Sequence, residues 1–267
     1  MRERASVSLC MIVKDEEHCI CRVLTSVLDN LKSLREIILV DTGSSDKTIE
    51  KAQECLSLAN RDDVTLKSHL KPFRNDFALS RNESFRLATS DWVIWLDADD
   101  EASIEFCQQI DDSINNALPY VRENAAFTCG IFPYYYLLDS NDNPVVVVPR
   151  ERLLKRESLQ FPVWRGKVHE CIDINIYKTK EFTGPILHRR TFKDMEKDAN
   201  RNLKIMGDMI QGGSIEIEGY RFWMYYGFEL FHSGQKKLAI SALKESLRRN
   251  PSNQEIAIIC EMICQCL

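Results

Sequence analysis

The sequence predicts an α/β protein, a doubly wound and mostly parallel sheet followed by an α-helical tail. Two observations carry that prediction. Short, wholly apolar runs, Ile37–Val40 and Trp92–Leu96, alternate with helix-length segments, and each ends abruptly in a carboxylate. Such runs read as parallel strands buried on both faces. From Asp194 to the end, apolar residues instead return at helical spacing.

The elements follow in order. Ser6–Val13 is a strand, ended by Lys14-Asp15-Glu16-Glu17, and a helix runs from about Glu17 to Leu28. The second strand, Glu36–Val40, opens into Asp41-Thr42-Gly43-Ser44-Ser45-Asp46, a turn rich in helix-capping residues before a helix over 47–58. A third strand at Val64–Leu66, a helix over 77–89 and the strand Trp92–Leu96 complete the alternation. Phe127–Leu138 and Val145–Leu154, on either side of the turn 139–144, read as an added antiparallel pair. In the tail, Ala199, Leu203, Met206 and Ile210 form one apolar stripe that stops at Gly212-Gly213. Counted from Tyr220, Trp223, Gly227, Ala239 and Pro251 fall at positions four, eight, twenty and thirty-two of a tetratricopeptide (TPR) pattern. One such unit cannot stand as a solenoid. It must pack on the first domain, pair with another chain as a homodimer, or begin a longer array. The expected division is 1–190 and 191–267.

Composition excludes several classes. With 267 residues, 44% of them hydrophobic, the chain can bury a large core. A net charge of -5 argues against a nucleic-acid binder. No apolar run approaches the roughly 20 residues of a membrane span. The start lacks the form of a signal peptide, because Lys14–Glu17 break its apolar stretch. The ten cysteines are scattered, and Cys10, Cys129, Cys260 and Cys264 lie inside apolar segments. Free thiols in a cytoplasmic protein are expected, without zinc.

Three strand ends carry the chemistry: Lys14-Asp15-Glu16, Asp41 and Asp97-Ala98-Asp99. Open α/β sheets bind ligands at that edge. Asp97 and Asp99 sit two apart, so on an extended strand end they share a face. Clustered carboxylates call for a cation or a donor-rich ligand unless they form a solvated acidic turn, and a hard divalent metal shared with substrate phosphates would satisfy them. No Gly-x-Gly-x-x-Gly or Walker lysine loop is present, so phosphates would fall to a cation and to arginines.

The segments Ser8–Glu17, Ile37–Thr48, Asp76–Asn82 and Asp91–Asp99 together resemble glycosyltransferase family 2, in the family's order. The resemblance implies a GT-A fold that binds a nucleotide sugar, with a UDP-sugar donor and Mn²⁺ or Mg²⁺. It places Lys14, Asp15, Glu16 and Asp41 around base and ribose, and Arg81 near base or diphosphate. Asp97 would contact ribose or metal, and Asp99 would ligate the metal. Asp100 is read as supporting or solvated. For the third metal ligand it offers His188 or His169, with His188 preferred.

The acceptor needs a general base within hydrogen-bond reach. Trp164-Arg165-Gly166-Lys167-Val168-His169-Glu170 is the candidate segment. Trp164 would stack on a sugar, and Glu170, ahead of His169, would take the proton. With its repeat-like tail the chain looks like bacterial peptide (glycocin-type) glycosyltransferases, which implies transfer to Cys, Ser or Thr of a peptide or protein. The rival readings are transfer to a cell-envelope or lipid-linked glycan, a nucleotidyltransferase, and a non-catalytic repeat-bearing scaffold.

Overall fold

The computed structural model describes residues 5–115, 127–190, 200–214 and 219–267. They form two compact units, 1–165 with 171–190, and 166–170 with 191–267.

The first unit is built on four parallel strands, β1 (Val7–Val13), β2 (Leu34–Asp41), β3 (Thr65–Leu70) and β4 (Trp92–Trp95), in the order β3-β2-β1-β4. The crossovers are α1 (Ile20–Leu28), α2 (Thr48–Leu58) and α3 (Phe77–Leu87). The central strands are apolar on both faces because both are covered. Leu9, Met11, Ile37 and Leu39 pack with Val23, Leu24 and Val27 of α1. Cys10, Ile38, Val93 and Trp95 pack with Ala78 and Phe85 of α3. Burying each such Leu, Ile or Val stabilises by roughly 2 kcal/mol. Asp76 caps α3, its carboxylate accepting the Leu79 N–H at 2.7 Å.

The sheet then reverses. β7 (Pro144–Lys155) runs antiparallel to β4, and β6 (Cys129–Leu138) antiparallel to β7, as the sequence predicts. β11 (Ile186–His188) adds parallel to β6, and β5 (Asp100–Ala102) pairs antiparallel with β11, setting His188 opposite Asp100. α4 (Ile104–Asn115) follows β5. β8 (Trp164–Arg165) and β9 (Cys171–Ile172) form a separate ribbon, and β10 (Thr179–Glu181) lies beside β6.

Several expectations shift. The first helix begins at Ile20 instead of Glu17, because the Glu16 carbonyl accepts from the N–H groups of Cys19 and Ile20 in a turn. β5 and β11 are too short, three residues each, to leave a period in the sequence. The all-free-thiol expectation is also corrected. Cys21 of α1 and Cys55 of α2 form a disulfide with Cα atoms 5.9 Å apart, while Cys10, Cys107 and Cys129 are buried and free. Burial pushes the thiols of Cys107 and Cys129 up to about 12.

The second unit holds α5 (Arg201–Gln211), α6 (Tyr220–His232), α7 (Lys236–Leu247) and α8 (Asn253–Cys266). Its core gathers Met224, Leu230, Ala239, Ala242, Leu243 and Ile259. A Cβ on Gly227 would stand 2.6 Å from Leu243 Cγ, so glycine is what lets α6 and α7 approach. Ser252 and Glu255 close a capping box on α8. The arrangement is consistent with a TPR-like bundle. The face that α5 buries is Ile205, Met206 and Met209. Of the expected stripe, Leu203 and Ile210 are only half-buried and Ala199 lies outside the described residues. Among the described residues no helix is long and apolar enough to cross a membrane.

Candidate active site

β2, β1 and β4 are neighbours, so the residues after their carboxyl ends meet at one edge. The loops there are stitched together. Asp15, at φ 53°, accepts the Ser45 N–H at 2.7 Å through its carboxylate. Its own N–H donates to Ser44 Oγ at 3.1 Å, and the Glu16 N–H donates to Thr48 Oγ1 at 2.7 Å. Asp41 Oδ1 accepts from the N–H groups of Gly43 and Ser44 and from Ser44 Oγ, at 2.8–3.0 Å. Its own turn therefore takes up that oxygen and leaves Oδ2 for a ligand. Lys14 is exposed at the rim.

Asp97 follows β4. Arg81 of α3 donates to its Oδ1 at 2.8 Å, and the Arg81 guanidinium lies 4.8 Å from the centre of the Trp95 ring and 5.0 Å from that of Trp164. Arg81 is thus a buried partner of Asp97, not a surface arginine. Burial works to raise the Asp97 carboxyl, but the charges of Arg81, Arg152 and His188 hold it below the usual range.

Asp99 meets His188. Asp99 Oδ2 and His188 Nε2 are 3.2 Å apart, and the Tyr136 carbonyl lies 3.1 Å from His188 Nδ1. A carbonyl only accepts, so it fixes a proton on Nδ1 and turns Nε2 toward the carboxylate. Two acceptors facing each other need a proton or a cation between them. Burial alone would lower the His188 imidazole, but Asp99, through its hydrogen bond and charge, and Asp100, through its charge, keep it above its usual range. The donor set, one imidazole with its other nitrogen hydrogen-bonded to backbone plus a carboxylate, fits a divalent metal.

Asp100 is not solvated. It is fully buried, bonded to Tyr134, Arg152 and the Asp97 backbone. Burial pushes its carboxyl up to about 6 against the pull of Arg152. Sequence reasoning missed Arg152, whose only signal was an arginine placed just before Leu153-Leu154 within an expected strand. Trp164 is corrected too. It is 1% exposed and set edge-on against Trp95 and Phe85, so it has no face to offer a sugar.

After the end of β1, Glu16, His18 and Cys19 bring potential ligand atoms within 4.8 Å. Cys19 Sγ there donates to Glu16 Oε2 at 3.3 Å, and burial with nearby acids keeps it a thiol. A groove of about 360 Å³ lies between α1 and α2 around the disulfide. It is away from the strand ends, and the acids that converge at the sheet edge do not line it.

His169 and Glu170 belong to the second unit. His169, at φ 53°, stacks on Tyr225 with ring centres 4.0 Å apart, and its Nε2 lies 3.0 Å from Glu229 Oε1. Asn202 donates to the same Glu229 oxygen at 2.7 Å. Glu170 is half-buried beside it.

Comparison with known proteins follows this geometry. The sequence model described as Glycosyl transferase family 2 matches residues 8–176. A TPR repeat-containing protein of Synechococcus elongatus is 37% identical over 134 residues, 49% of this chain and 30% of its own length. The SPbeta prophage-derived glycosyltransferase SunS of Bacillus subtilis is 24% identical over 89% of this chain and 52% of its own. The chain therefore spans about half or less of these relatives. In structure, S. aureus TarS (1–349), crystallised with UDP-GlcNAc, overlays 92% of this chain and 82% of its own at TM-score 0.53 and 13% identity, a likeness of fold.

Proposed function

The chain belongs to glycosyl transferase family 2, and on that premise we propose that it transfers a sugar from a UDP-sugar to a Cys, Ser or Thr side chain of a peptide or protein, with inversion at the anomeric carbon. The observation that carries the reading is the Asp99–His188 pair, a carboxylate oxygen and an imidazole nitrogen 3.2 Å apart beside Asp97. Asp99 and His188 would hold a divalent metal, and the imidazole favours Mn²⁺ over Mg²⁺. Bound there, the metal would neutralise charge on the departing diphosphate.

The chain's own groups do the rest. Lys14, Asp15, Glu16 and Asp41 hold base and ribose at the ends of β1 and β2. Arg81 orients Asp97 and brings a positive charge to the diphosphate side. Glu170 accepts the acceptor's S–H or O–H proton as that atom bonds to the anomeric carbon and the bond to UDP breaks. His169, already engaged by Glu229 and Tyr225, supports Glu170 in position. The helical segment receives the peptide, since repeat surfaces commonly bind other chains. A homodimer through that segment and a cytoplasmic location complete the proposal.

Thermal unfolding with a nucleotide panel, with and without Mn²⁺, tests the donor site. A ligand at 100 times its Kd stabilises the native state by about 2.7 kcal/mol. UDP should raise the melting point only with Mn²⁺, and Asp99→Ala should abolish the shift. A UDP shift indifferent to both metal and Asp99 would overturn the site. Transfer to a glycan acceptor but to no peptide would redirect the acceptor reading to the cell envelope.

A further inference from the structure

We propose that Asp100, with Arg152 and Tyr134, is the positioning unit that sets the Asp97–Asp99 turn in the geometry a metal and diphosphate require. The inference rests on the donor-site reading above.

Asp100 stands apart from the acids before it. Its side chain has no solvent exposure, and that of Arg152 has 1%. Both oxygens are used. Oδ1 accepts the Tyr134 hydroxyl at 2.8 Å. Oδ2 accepts Arg152 Nη1 at 3.0 Å and the Asp97 N–H at 2.9 Å. The Asp100 N–H in turn donates to the Asp97 carbonyl at 3.1 Å. Residues 97–100 thus form a turn closed twice, once through backbone and once through this carboxylate.

Arg152 anchors the turn to the sheet. Its Nη1 also donates at 3.1 Å to the carbonyl of Trp95, the last residue of β4 and two before the turn. Its guanidinium lies 3.7 Å from the centre of the Trp95 ring and 4.5 Å from that of Tyr134. The far side of the turn is tied as well, because the Arg189 N–H donates to the Asp99 carbonyl at 2.7 Å while β11 sets His188 opposite Asp100. Asp97 and Asp99 therefore project from a frame whose buried centre is one carboxylate. A buried ion pair adds little net stability over apolar residues of the same shape, so stability alone is a weak reason for one here. Holding two partly exposed acids in a fixed relation before the cation arrives is a better one. Groups that orient metal ligands usually change affinity 10- to 100-fold when removed.

The test is an EPR titration of Mn²⁺ into protein and UDP, with kinetics of donor turnover alongside. Three variants are compared with wild type: Tyr134→Phe, Asp100→Asn, and the charge-balanced double change Asp100→Asn with Arg152→Gln. The double variant leaves no lone buried charge and is the one expected to keep its melting point. The proposal expects the Mn²⁺ concentration for half-saturation to rise about 10-fold or more in the double variant. KM for the UDP-sugar should rise with it, and excess Mn²⁺ should restore much of the lost turnover. Tyr134→Phe should show the same displacement in smaller measure. A double variant that folds and binds Mn²⁺ and UDP as wild type does would overturn the proposal, and so would a falling melting point with an unmoved Mn²⁺ titration. If wild type shows no Mn²⁺-dependent UDP binding, the donor-site reading itself fails and carries this inference with it.

Discussion

Glu36 offers a sharp test of how the parallel sheet is held. It is buried in β2, 2% exposed, at the end of the strands opposite the candidate site. Ser8 Oγ donates to it at 2.6 Å from β1, and Lys67 Nζ at 2.7 Å from β3. The Thr89 N–H and Oγ1 donate at 2.9 and 3.1 Å from the residues just before β4. One carboxylate thus joins three of the parallel strands and the segment leading into the fourth. Burial works to raise its carboxyl, but these donors and the Lys67 charge hold it below the usual range. Now replace it with glutamine. The amide oxygen can keep Ser8 and the Thr89 N–H, and the amide NH₂ can donate to the Thr89 hydroxyl. What is lost is the charge in those bonds, roughly 1 kcal/mol for each of two. The Lys67 contribution is below about 1 kcal/mol, because that side chain is half exposed. Relief of a buried charge returns part of this, so Glu36→Gln should cost about 1–3 kcal/mol at pH 7. A depressed folded-state carboxyl stabilises above its unfolded value, and the gain is lost as pH falls through the folded value. The gap between wild type and Glu36→Gln should therefore hold from pH 7 to 5 and close below about pH 4. Urea unfolding of both proteins from pH 7 to 3 measures it. A gap independent of pH, or a more stable variant at pH 7, would refute the argument.

Three further outcomes follow from the same geometry. Gly227→Val should destabilise the helical unit by about 2 kcal/mol or more, since its Cβ would press on the fully buried Leu243; an unchanged melting curve by circular dichroism would count against the tight helix crossing. Cys21→Ser should cost up to about 3–4 kcal/mol on the chain-entropy account of a loop of 34 residues, and wild type should lose the same amount in reductant; stability indifferent to reductant would remove the cross-link from the account. Glu170→Gln should lower kcat for transfer at least about 100-fold with KM for donor little changed, whereas His169→Gln should cost less; the reverse order, read from steady-state kinetics, would make His169 the base.

The parts of the fold that were legible in the sequence are those whose signal is local. Ile37–Val40 and Trp92–Leu96 announce buried parallel strands because they are apolar on both faces and stop in acid. The strand geometry expected for Asp97 and Asp99 does not hold, because β4 ends at Trp95 and residues 97–100 turn. The tie between Asp99 and His188 lies beyond such reasoning. It depends on β11 pairing with β5, two three-residue strands far apart in the chain. Arg152 is hidden for a similar reason, since nothing near it in sequence says that Asp100 waits across the sheet. Trp164 misled because an aromatic before Gly, His and Glu looks like a sugar platform. The residues that bury it, Phe85 and Trp95, come from other segments. Cys21 and Cys55 could not be paired from spacing, because only the packing of α1 on α2 brings them together.

The β5–β11 pairing also sets the order in which the protein can acquire its chemistry during synthesis. The first four strands lead into Asp97 and Asp99, and a nascent chain of a hundred residues already holds most of the proposed donor edge. It lacks Arg152, and His188 arrives later still. Until β7 has paired with β4 the two acids lack their buried counter-ion, and until β11 has added to β6 they lack the imidazole. Domains generally fold as units, from the N-terminus onward. A truncated chain that ends before β11 would therefore expose an acidic turn without the partner that fixes it. On the proposed function, the candidate metal site is complete only as the last strand of the sheet is synthesised.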